Sequence, residues 1–316
     1  MHPPTTLQTF LTTTLGLTQP PALTRHTSIE GDDHMIYSLS NTPHILRVTK
    51  PRRNRVLTGQ QMQAFDIALR RLIRDEYRGR GLSENLIPVS IASQVLDEEG
   101  VYAASLETRM HGTGLHIARA TEETVAGFVD LLSILKGIQV DDLERKLGLE
   151  GGIPRIPFPD LQELRISALQ AWDRLYRNNQ LGDCAFGTGN IHSLLETKTD
   201  FVSALPCPSR AGSVLIHNDI KGEHVLVDEC GRVTGFLDWA DAGIGHVATD
   251  IAGLVLTVGV DMARRIARLV GYEEMVLEGV LLARCECVLR LDWRLNGEDG
   301  VSPVKLLREQ LVLAMG

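Results

Sequence analysis

The chain has 316 residues, of which 43% are hydrophobic and 23% are charged, and its formal net charge is −8. A chain of this length can bury a large core and would ordinarily divide into two lobes or domains. The acidic balance argues against a nucleic-acid-binding protein, which needs a basic stripe, and it mildly favours cationic partners.

The cysteines and the apolar runs indicate the cellular compartment. Five cysteines, an odd count with no CxxC pair, are typical of reduced thiols in a cytosolic protein. No apolar run reaches membrane-spanning length, and the N-terminus lacks the basic and hydrophobic segments of a signal peptide. We therefore expect a cytoplasmic protein with no membrane partner.

The first third of the chain mixes helix and strand patterns. Apolar residues at helical spacing predict helices over residues 5–16 and 57–77. Strand-like runs cover residues 29–39 (strand, turn, strand, with Gly31 at the bend), 44–49, 86–92 and 101–110.

Beyond residue 110 the pattern becomes mainly helical. Residues 153–159 are proline-rich and extended, and residues 183–189 form a loop. The predicted helices cover residues 121–137, 161–176, 191–205, 249–259, 261–270, 273–295 and a last segment after Pro303.

A β-hairpin is predicted from two short β-rich runs, Val225–Val227 and Val233–Leu237, around a turn that contains Gly231. Antiparallel pairing would place His224, just before the first strand, beside Asp238, just after the second. The loop with Asp219 would lie next to them. Three ionisable side chains that converge on one spot predict a reaction centre.

The same residues carry a family resemblance. His217-Asn218-Asp219, with His224 in the Asn place, resembles the H-x-D-x-x-x-x-N loop of kinases, and Asp238-Trp-Ala stands for their D-F-G. The stretch is more similar to the aminoglycoside phosphotransferase family, with H-G-D-x-x-x-x-N and I-D-W-x-x-A-x-x-G-D-P-x-x-D. Residues 235–250 follow the second pattern, except that His246-Val247 replace Asp-Pro. Macrolide kinases of the same superfamily also have His in place of the Asn.

This resemblance implies an α+β, bilobal, protein-kinase-like fold. Residues 1–110 would form a small β-rich N-lobe that binds nucleotide and contains one helix. Residues 111–316 would form a larger, mainly helical C-lobe with the catalytic hairpin and the substrate-binding region.

The resemblance also assigns roles in the N-lobe. The turn at Gly31 would cover the nucleotide phosphates, although such a turn is also an ordinary hairpin bend. Arg47 stands at the basic position of the third strand, and a kinase needs an acid on the next helix to hold that residue. Asp66 is the candidate acid and Glu76 the alternative, and either one could instead be a solvated carboxylate on a helix flank.

The passage from the last N-lobe strand resembles the hinge of the family, where the backbone meets the nucleobase. This implies Thr108, Arg109 and Met110 as nucleotide-binding residues. Because recognition through the backbone does not require particular side chains, the sequence does not distinguish ATP from GTP as the co-substrate.

In the catalytic stretch, Asp219 would orient the acceptor hydroxyl and accept its proton. Asp238 would bind the metal that bridges the phosphates. Since Mg²⁺ prefers oxygen ligands, His224 would bind the metal directly or through a water, favour Mn²⁺, or hydrogen-bond a phosphate or Asp219. Asp250 resembles the family residue that fixes the catalytic loop through hydrogen bonds.

These assignments predict a small-molecule kinase that phosphorylates a hydroxyl of an antibiotic, most readily an aminoglycoside or related compound. The alternatives are a GTP-using macrolide phosphotransferase and a metabolic kinase of the same fold. A nucleotide-binding protein that has lost catalysis is the alternative from another class, motivated by His224 and His246.

Overall fold

The computed structural model describes residues 5–26, 34–50, 57–147, 152–182, 194–195, 213–297 and 299–316. The chain divides into two compact units. Unit 1 comprises Met1–Gly112, Leu143–Ile153 and Thr234–Ala240, and unit 2 comprises Thr113–Asp142, Pro154–Val233 and Asp241–Gly316. The N-lobe predicted over residues 1–110 lies within unit 1, which also includes the two later segments.

The secondary structure follows the predicted order. The helices are α1 (Thr5–Leu15), α2 (Gly59–Gly79), α3 (Glu122–Gly137), α4 (Val140–Leu147), α5 (Leu161–Arg177), α6 (Ala248–Val258), α7 (Val260–Val270), α8 (Val276–Asn296) and α9 (Val304–Met315). The strands are β1 (Leu23–Arg25), β2 (His34–Leu39), β3 (His44–Thr49), β4 (Ser90–Val95), β5 (Ala103–Thr108), β6 (Thr113–Gly114), β7 (Ser213–Ile216), β8 (Val225–Val227), β9 (Val233–Phe236) and β10 (Gly243–His246).

Unit 1 is built on an antiparallel sheet of order β1-β2-β3-β5-β4. Side chains alternate between the two faces of a strand, so Leu46 and Val48 of β3 point away from the face that carries Arg47. Leu46 and Val48 pack with α1 in an apolar core whose buried members are Leu7, Phe10, Leu11, Leu39, Leu46, Val48, Ala104 and Leu106. The face with Arg47 is left for polar contacts.

Helix α2 supplies those contacts. It begins at a capping box, in which Thr58 Oγ1 accepts from the Gln61 amide and Gln61 Oε1 accepts from the Thr58 amide. Its buried face is mostly apolar, yet it also buries two charged residues one turn apart, Asp66 and Arg70.

In unit 2, β7 pairs with β10 and β6 pairs with β8, both antiparallel. The turn that follows β8 is closed by Asp228, whose Oδ1 accepts from the amides of Cys230 and Arg232. Behind these strands the helices pack closely. A Cβ built on Gly279 of α8 would lie 2.5 Å from the Ile251 side chain of α6.

Most predicted elements are confirmed, and the differences have local reasons. The strand predicted over residues 86–92 begins only at Ser90, because Glu84–Leu86 form a 3-10 turn. Helix α4 and strands β1, β6, β7 and β10 were not predicted. The two glycines of β10 are poor strand formers, and pairing with β7 decides its conformation. Gly31 and all but residues 194–195 of the helix predicted over 191–205 lie outside the described residues.

No helix in the part of the chain that the structure describes is long and apolar enough to cross a bilayer.

The close approach of α6 and α8 predicts that Gly279→Ala destabilises the protein by about 1–3 kcal/mol, because the added methyl overpacks a filled interface. Gly79→Ala at the end of α2 is the matched control, since its Cβ would meet nothing within 4 Å. It should be neutral or slightly stabilising. Urea unfolding of both variants measures the difference, and a Gly279→Ala protein as stable as the parent would contradict the packing.

Candidate active site

Arg47 is the centre of the polar cluster in unit 1, and its side chain is only 8% exposed. Its Nη1 lies 3.2 Å from Asp66 Oδ2 and 3.5 Å from Glu107 Oε1. Its Nη2 donates to Asp238 Oδ1 at 3.1 Å and contacts His34 Nδ1 at 3.1 Å. Because an arginine can only donate, His34 Nδ1 is the acceptor in that pair.

The structure therefore brings Arg47, Asp66 and Asp238 together. Glu76, the other candidate for the Arg47 partner, instead pairs with Lys146 at 3.2 Å. Asp66 lies on the buried face of α2, whereas Glu76 lies where the helix meets solvent.

A second arginine completes the cluster. Arg70 Nη2 lies 2.8 Å from both Asp66 Oδ2 and Glu107 Oε1. Ser105 on the same strand also donates to Glu107 at 2.8 Å. Four ionisable side chains are thus buried in one cluster, and Arg47 connects them to Asp238, whose own side chain is 30% exposed.

The environment moves the two buried acids in opposite directions. Burial opposes the ionisation of Glu107, but the charges of Arg70 and Arg47 and its hydrogen bonds outweigh it and lower its pKa to about 2. Burial raises the pKa of Asp66 above its usual value, against the opposing effect of both arginines. Asp66 accepts both arginines through Oδ2, and its buried Oδ1 has no hydrogen-bond partner among the residues that the structure describes.

Thr108 and Arg109, two of the residues predicted to form the hinge, bond to residues just before the neighbouring strands. The Thr108 amide donates to the Val89 carbonyl, and Thr108 Oγ1 accepts from the Val89 amide. The Arg109 amide donates to the Pro43 carbonyl. Met110 lines a cavity of about 250 Å³ together with Thr108 and Arg109.

In unit 2, a buried carboxylate shapes the segment that carries Asp219. Asp250 of α6 accepts the amides of His217 at 2.9 Å and Asn218 at 2.8 Å, one on each oxygen. Burial raises the pKa of Asp250 to about 6, although these two hydrogen bonds favour the ionised form. The backbone of the segment is therefore fixed just before Asp219.

Two residues of these segments have the left-handed backbone that favours glycine. Asn218 has φ 64° and Asp238 has φ 58°. Asn and Asp tolerate this conformation better than other side chains do. This explains how Asn218 can stand where the related H-G-D motif has glycine, and its side chain also donates to the Asp241 carbonyl.

The Asp219 side chain is held by its own loop. Lys221 Nζ lies 3.0 Å from Asp219 Oδ2. His224 Nδ1 lies 3.1 Å from the same oxygen and 3.0 Å from the Asp219 carbonyl oxygen. The three side chains are half-buried.

The donor set suits a divalent cation. In the cluster of unit 1, three carboxyl groups lie near two arginines, and Asp238 is the most exposed of the three. In unit 2, a His224 ring that donates Nδ1–H to a carbonyl has its lone pair on Nε2. This tautomer is the usual one for metal-binding histidines.

Three ionisable residues of these clusters were not predicted from the sequence: His34, Arg70 and Glu107. Arg70 could have been found, because it follows Asp66 by four residues on the apolar face of α2. Glu107 could have been found as the acid in an otherwise buried strand. His34 carries no comparable signal.

The low pKa of Glu107 predicts a pH-dependent stability. Its folded-state pKa of about 2 lies below the ordinary 4.5, so the stabilisation is complete above about pH 4.5 and is lost as the pH falls towards 2. Between about pH 5 and pH 3 the parent should lose about 2 kcal/mol more stability than Glu107→Gln. Chemical unfolding across that range tests this, with Glu76→Gln at a surface ion pair as the control. Parallel pH profiles for the parent and Glu107→Gln would contradict it.

Comparisons with known proteins bear on these clusters. The family model described as "Phosphotransferase enzyme family" matches residues 46–283. The viomycin phosphotransferase of Streptomyces vinaceus is 33% identical over 76 residues, which are 23% of this chain and 26% of that protein. The uncharacterized protein YcbJ of Bacillus subtilis (strain 168) is 42% identical over 60 residues, 19% of each chain. The matched stretches thus span about a quarter or less of these curated relatives.

Solved structures show the fold over nearly the whole chain. Aminoglycoside 2'-phosphotransferase-IIIa in its GDP complex superposes with a TM-score of 0.61 at 16% identity, covering 97% of this chain and 95% of the other. Spectinomycin phosphotransferase in complex with ADP and spectinomycin gives a TM-score of 0.55 at 12% identity, covering 93% and 91%. The α+β, protein-kinase-like fold is thereby confirmed. With the family model matching most of its length, the chain belongs to the phosphotransferase enzyme family.

Proposed function

We propose that the chain is an antibiotic-type small-molecule kinase, which transfers the terminal phosphate of ATP or GTP to a hydroxyl of a cationic antibiotic such as an aminoglycoside. The observation that carries this proposal is the state of Asp219. Its carboxyl group is half-buried, is held by Lys221 and His224, and follows a backbone turn that Asp250 anchors. A pre-oriented carboxylate is what alignment of an acceptor hydroxyl requires.

In this proposal Asp219 accepts a hydrogen bond from the acceptor hydroxyl and takes up its proton as the phosphate is transferred. An ordinary Asp is a weak base, so most of its contribution is alignment of the acceptor oxygen. Lys221, already beside Asp219, adds positive charge where the transferring phosphate carries negative charge.

We assign the metal to Asp238 and His224, with Mg²⁺ or Mn²⁺ as the ion. When bound, the ion would neutralise charge on the phosphates. Support comes from the exposed carboxyl group of Asp238 and from the His224 tautomer. It also comes from the chain path, because β8 starts directly after His224 and β9 ends two residues before Asp238. Strands joined by a short turn bring such flanking residues to the same end of a hairpin.

The nucleotide is assigned to unit 1. Arg47 would contact the phosphates through the edge that faces Asp238, with Asp66 holding its other edge. Of the hinge residues, the amides of Thr108 and Arg109 donate within unit 1, so we assign nucleobase recognition chiefly to the Met110 backbone and the Thr108 carbonyl. Gly31 keeps its proposed place over the phosphates. Related solved structures contain GDP, ADP or ATP, which supports a purine nucleotide as co-substrate.

The acceptor class follows from the acids of the late helices. Two acids of this region, Asp292 and Asp299, have partners within the fold. Asp292 binds Arg174 at 2.6 Å, and Asp299 Oδ1 accepts the amides of Val301 and Ser302.

Glu286 of α8 is different, because its surroundings connect it with Asp219. Burial raises the pKa of Glu286, the charge of Arg290 opposes this, and the charge of Asp219 adds to it. When ionised, Glu286 would add negative charge near Asp219, which favours an acceptor with an ammonium group near its reacting hydroxyl. Related proteins named for aminoglycosides, spectinomycin and viomycin support an antibiotic acceptor.

Asp219→Asn should lower phosphate transfer by about 100-fold or more while leaving the fold intact, because a neutral amide holds the acceptor hydroxyl less firmly than a carboxylate and cannot accept its proton. The assay is a panel of aminoglycoside, peptide and macrolide antibiotics, each with ATP and with GTP. Asp261→Asn, on an exposed face of α7, is the matched control and should keep parental activity. An Asp219→Asn protein as active as the parent would contradict the role of Asp219. No transfer to any compound, together with no metal-dependent nucleotide binding, would contradict the kinase assignment.

His224→Asn should change the metal preference. Imidazole is a poorer Mg²⁺ ligand than an amide oxygen and suits Mn²⁺ better. The ratio of kcat/KM with Mg²⁺ to kcat/KM with Mn²⁺ should therefore rise by about an order of magnitude in the variant. An unchanged ratio would show that His224 does not bind the metal.

A further inference from the structure

The buried cluster around Arg47 contains more charged residues than the Arg47–Asp66 ion pair alone. Arg47, Asp66, Arg70 and Glu107 are each at most 7% exposed. Replacing such a buried network by apolar residues of similar size is often neutral or stabilising, so it is weak evidence for stability alone. The proposed reaction gives no role to Arg70 or Glu107, although both belong to the same buried cluster as Arg47.

The distances show which of the two arginines lies closer to the buried acids Asp66 and Glu107. Arg70 Nη2 lies 2.8 Å from both Asp66 Oδ2 and Glu107 Oε1, whereas Arg47 Nη1 lies 3.2 and 3.5 Å from the same atoms. Arg70 therefore neutralises the two buried acids more closely than Arg47 does. Arg47 Nη1 contacts the two buried acids only at these longer distances, and Arg47 Nη2 lies 3.1 Å from Asp238 Oδ1.

We propose that Arg70 and Glu107 are positioning residues that act through Arg47. Together they determine the distance between the Arg47 guanidinium group and the Asp238 carboxyl group. Glu107 draws Arg47 away from Asp238, and Arg70 limits that pull by occupying the same carboxylates. Neither residue touches Asp238 in the described contacts. The inference rests on the proposed function, because it concerns the binding of nucleotide phosphate at Arg47 and of a divalent ion at Asp238.

The two residues should have opposite effects. In Glu107→Gln, Arg47 loses one buried acid and moves towards Asp238, so its charge competes better with a metal ion there. In Arg70→Met, both acids lose their nearest cation and draw Arg47 away from Asp238. A metal ion then meets a less neutralised Asp238, while phosphate without metal loses the help of Arg47.

The test uses ADP binding to the full chain, measured by titration calorimetry with Mn²⁺ and with a chelator in its place. The readout is the factor by which Mn²⁺ tightens ADP binding, and it needs no turnover. We expect this factor to fall about fivefold in Glu107→Gln and to rise about fivefold in Arg70→Met. The double variant should lie between the two. Arg78→Met and Asp75→Asn, an exposed ion pair on the same helix, make the matching charge changes and should leave the factor unchanged.

Arg70→Lys provides a second route if Arg70→Met fails to fold, as judged by thermal melting. It keeps the charge but has one donor group in place of a planar fork, so the factor should rise, by less than in Arg70→Met. Shifts of the same sign in Glu107→Gln and the Arg70 variants, or no shift in either, would overturn the positioning role. A parent protein whose ADP binding does not respond to Mn²⁺ would instead overturn the proposed function.

Discussion

Charge that is buried must be paired, and this constraint shapes both units of the structure. An unpaired ion in a protein interior costs several kcal/mol, so each buried charge determines the position of its neighbours. In unit 1 the Arg47 guanidinium links two buried acids to Asp238. In unit 2 the Asp250 carboxylate fixes the two amides that precede Asp219. The residues proposed to act on phosphate and acceptor are thus held by buried ion pairs and hydrogen bonds.

The two anchors differ in kind, and the difference suits their proposed tasks. Asp250 binds backbone amides through both oxygens, so it fixes the path of the chain and does not depend on a mobile side chain. Arg47 is a long side chain between several acceptors, and its planar group can shift its contacts from one edge to the other. A rigid loop is suited to aligning an acceptor hydroxyl, whereas an adjustable cation is suited to following the phosphates.

Much of this could be predicted from the sequence, because the signals are local. The hairpin between His224 and Asp238, the helix that carries Asp66 and the family motifs all depend on short-range spacing. Arg70 and Glu107 carry weak local signals, but their contacts with each other and with Asp66 and Arg47 arise only when α2 packs beside the β3–β5 pair in the fold. Strand β10 was missed for the same reason: its Gly-Ile-Gly-His sequence has no strand signal without β7. The left-handed backbone at Asn218 explains a departure from the family motif that sequence alone leaves open.

The central claim is that Asp219 and Asp238 serve one nucleotide and one divalent ion. A crystal structure of the chain with Mn²⁺ and a non-hydrolysable ATP analogue tests it most directly, with the ion located by its anomalous scattering. The account predicts Mn²⁺ bound to the Asp238 carboxylate and the His224 imidazole, with Arg47 on the phosphates and Asp219 facing the terminal one. Electron density that places the ion elsewhere, or the two carboxylates on separate sides of the nucleotide, would contradict it.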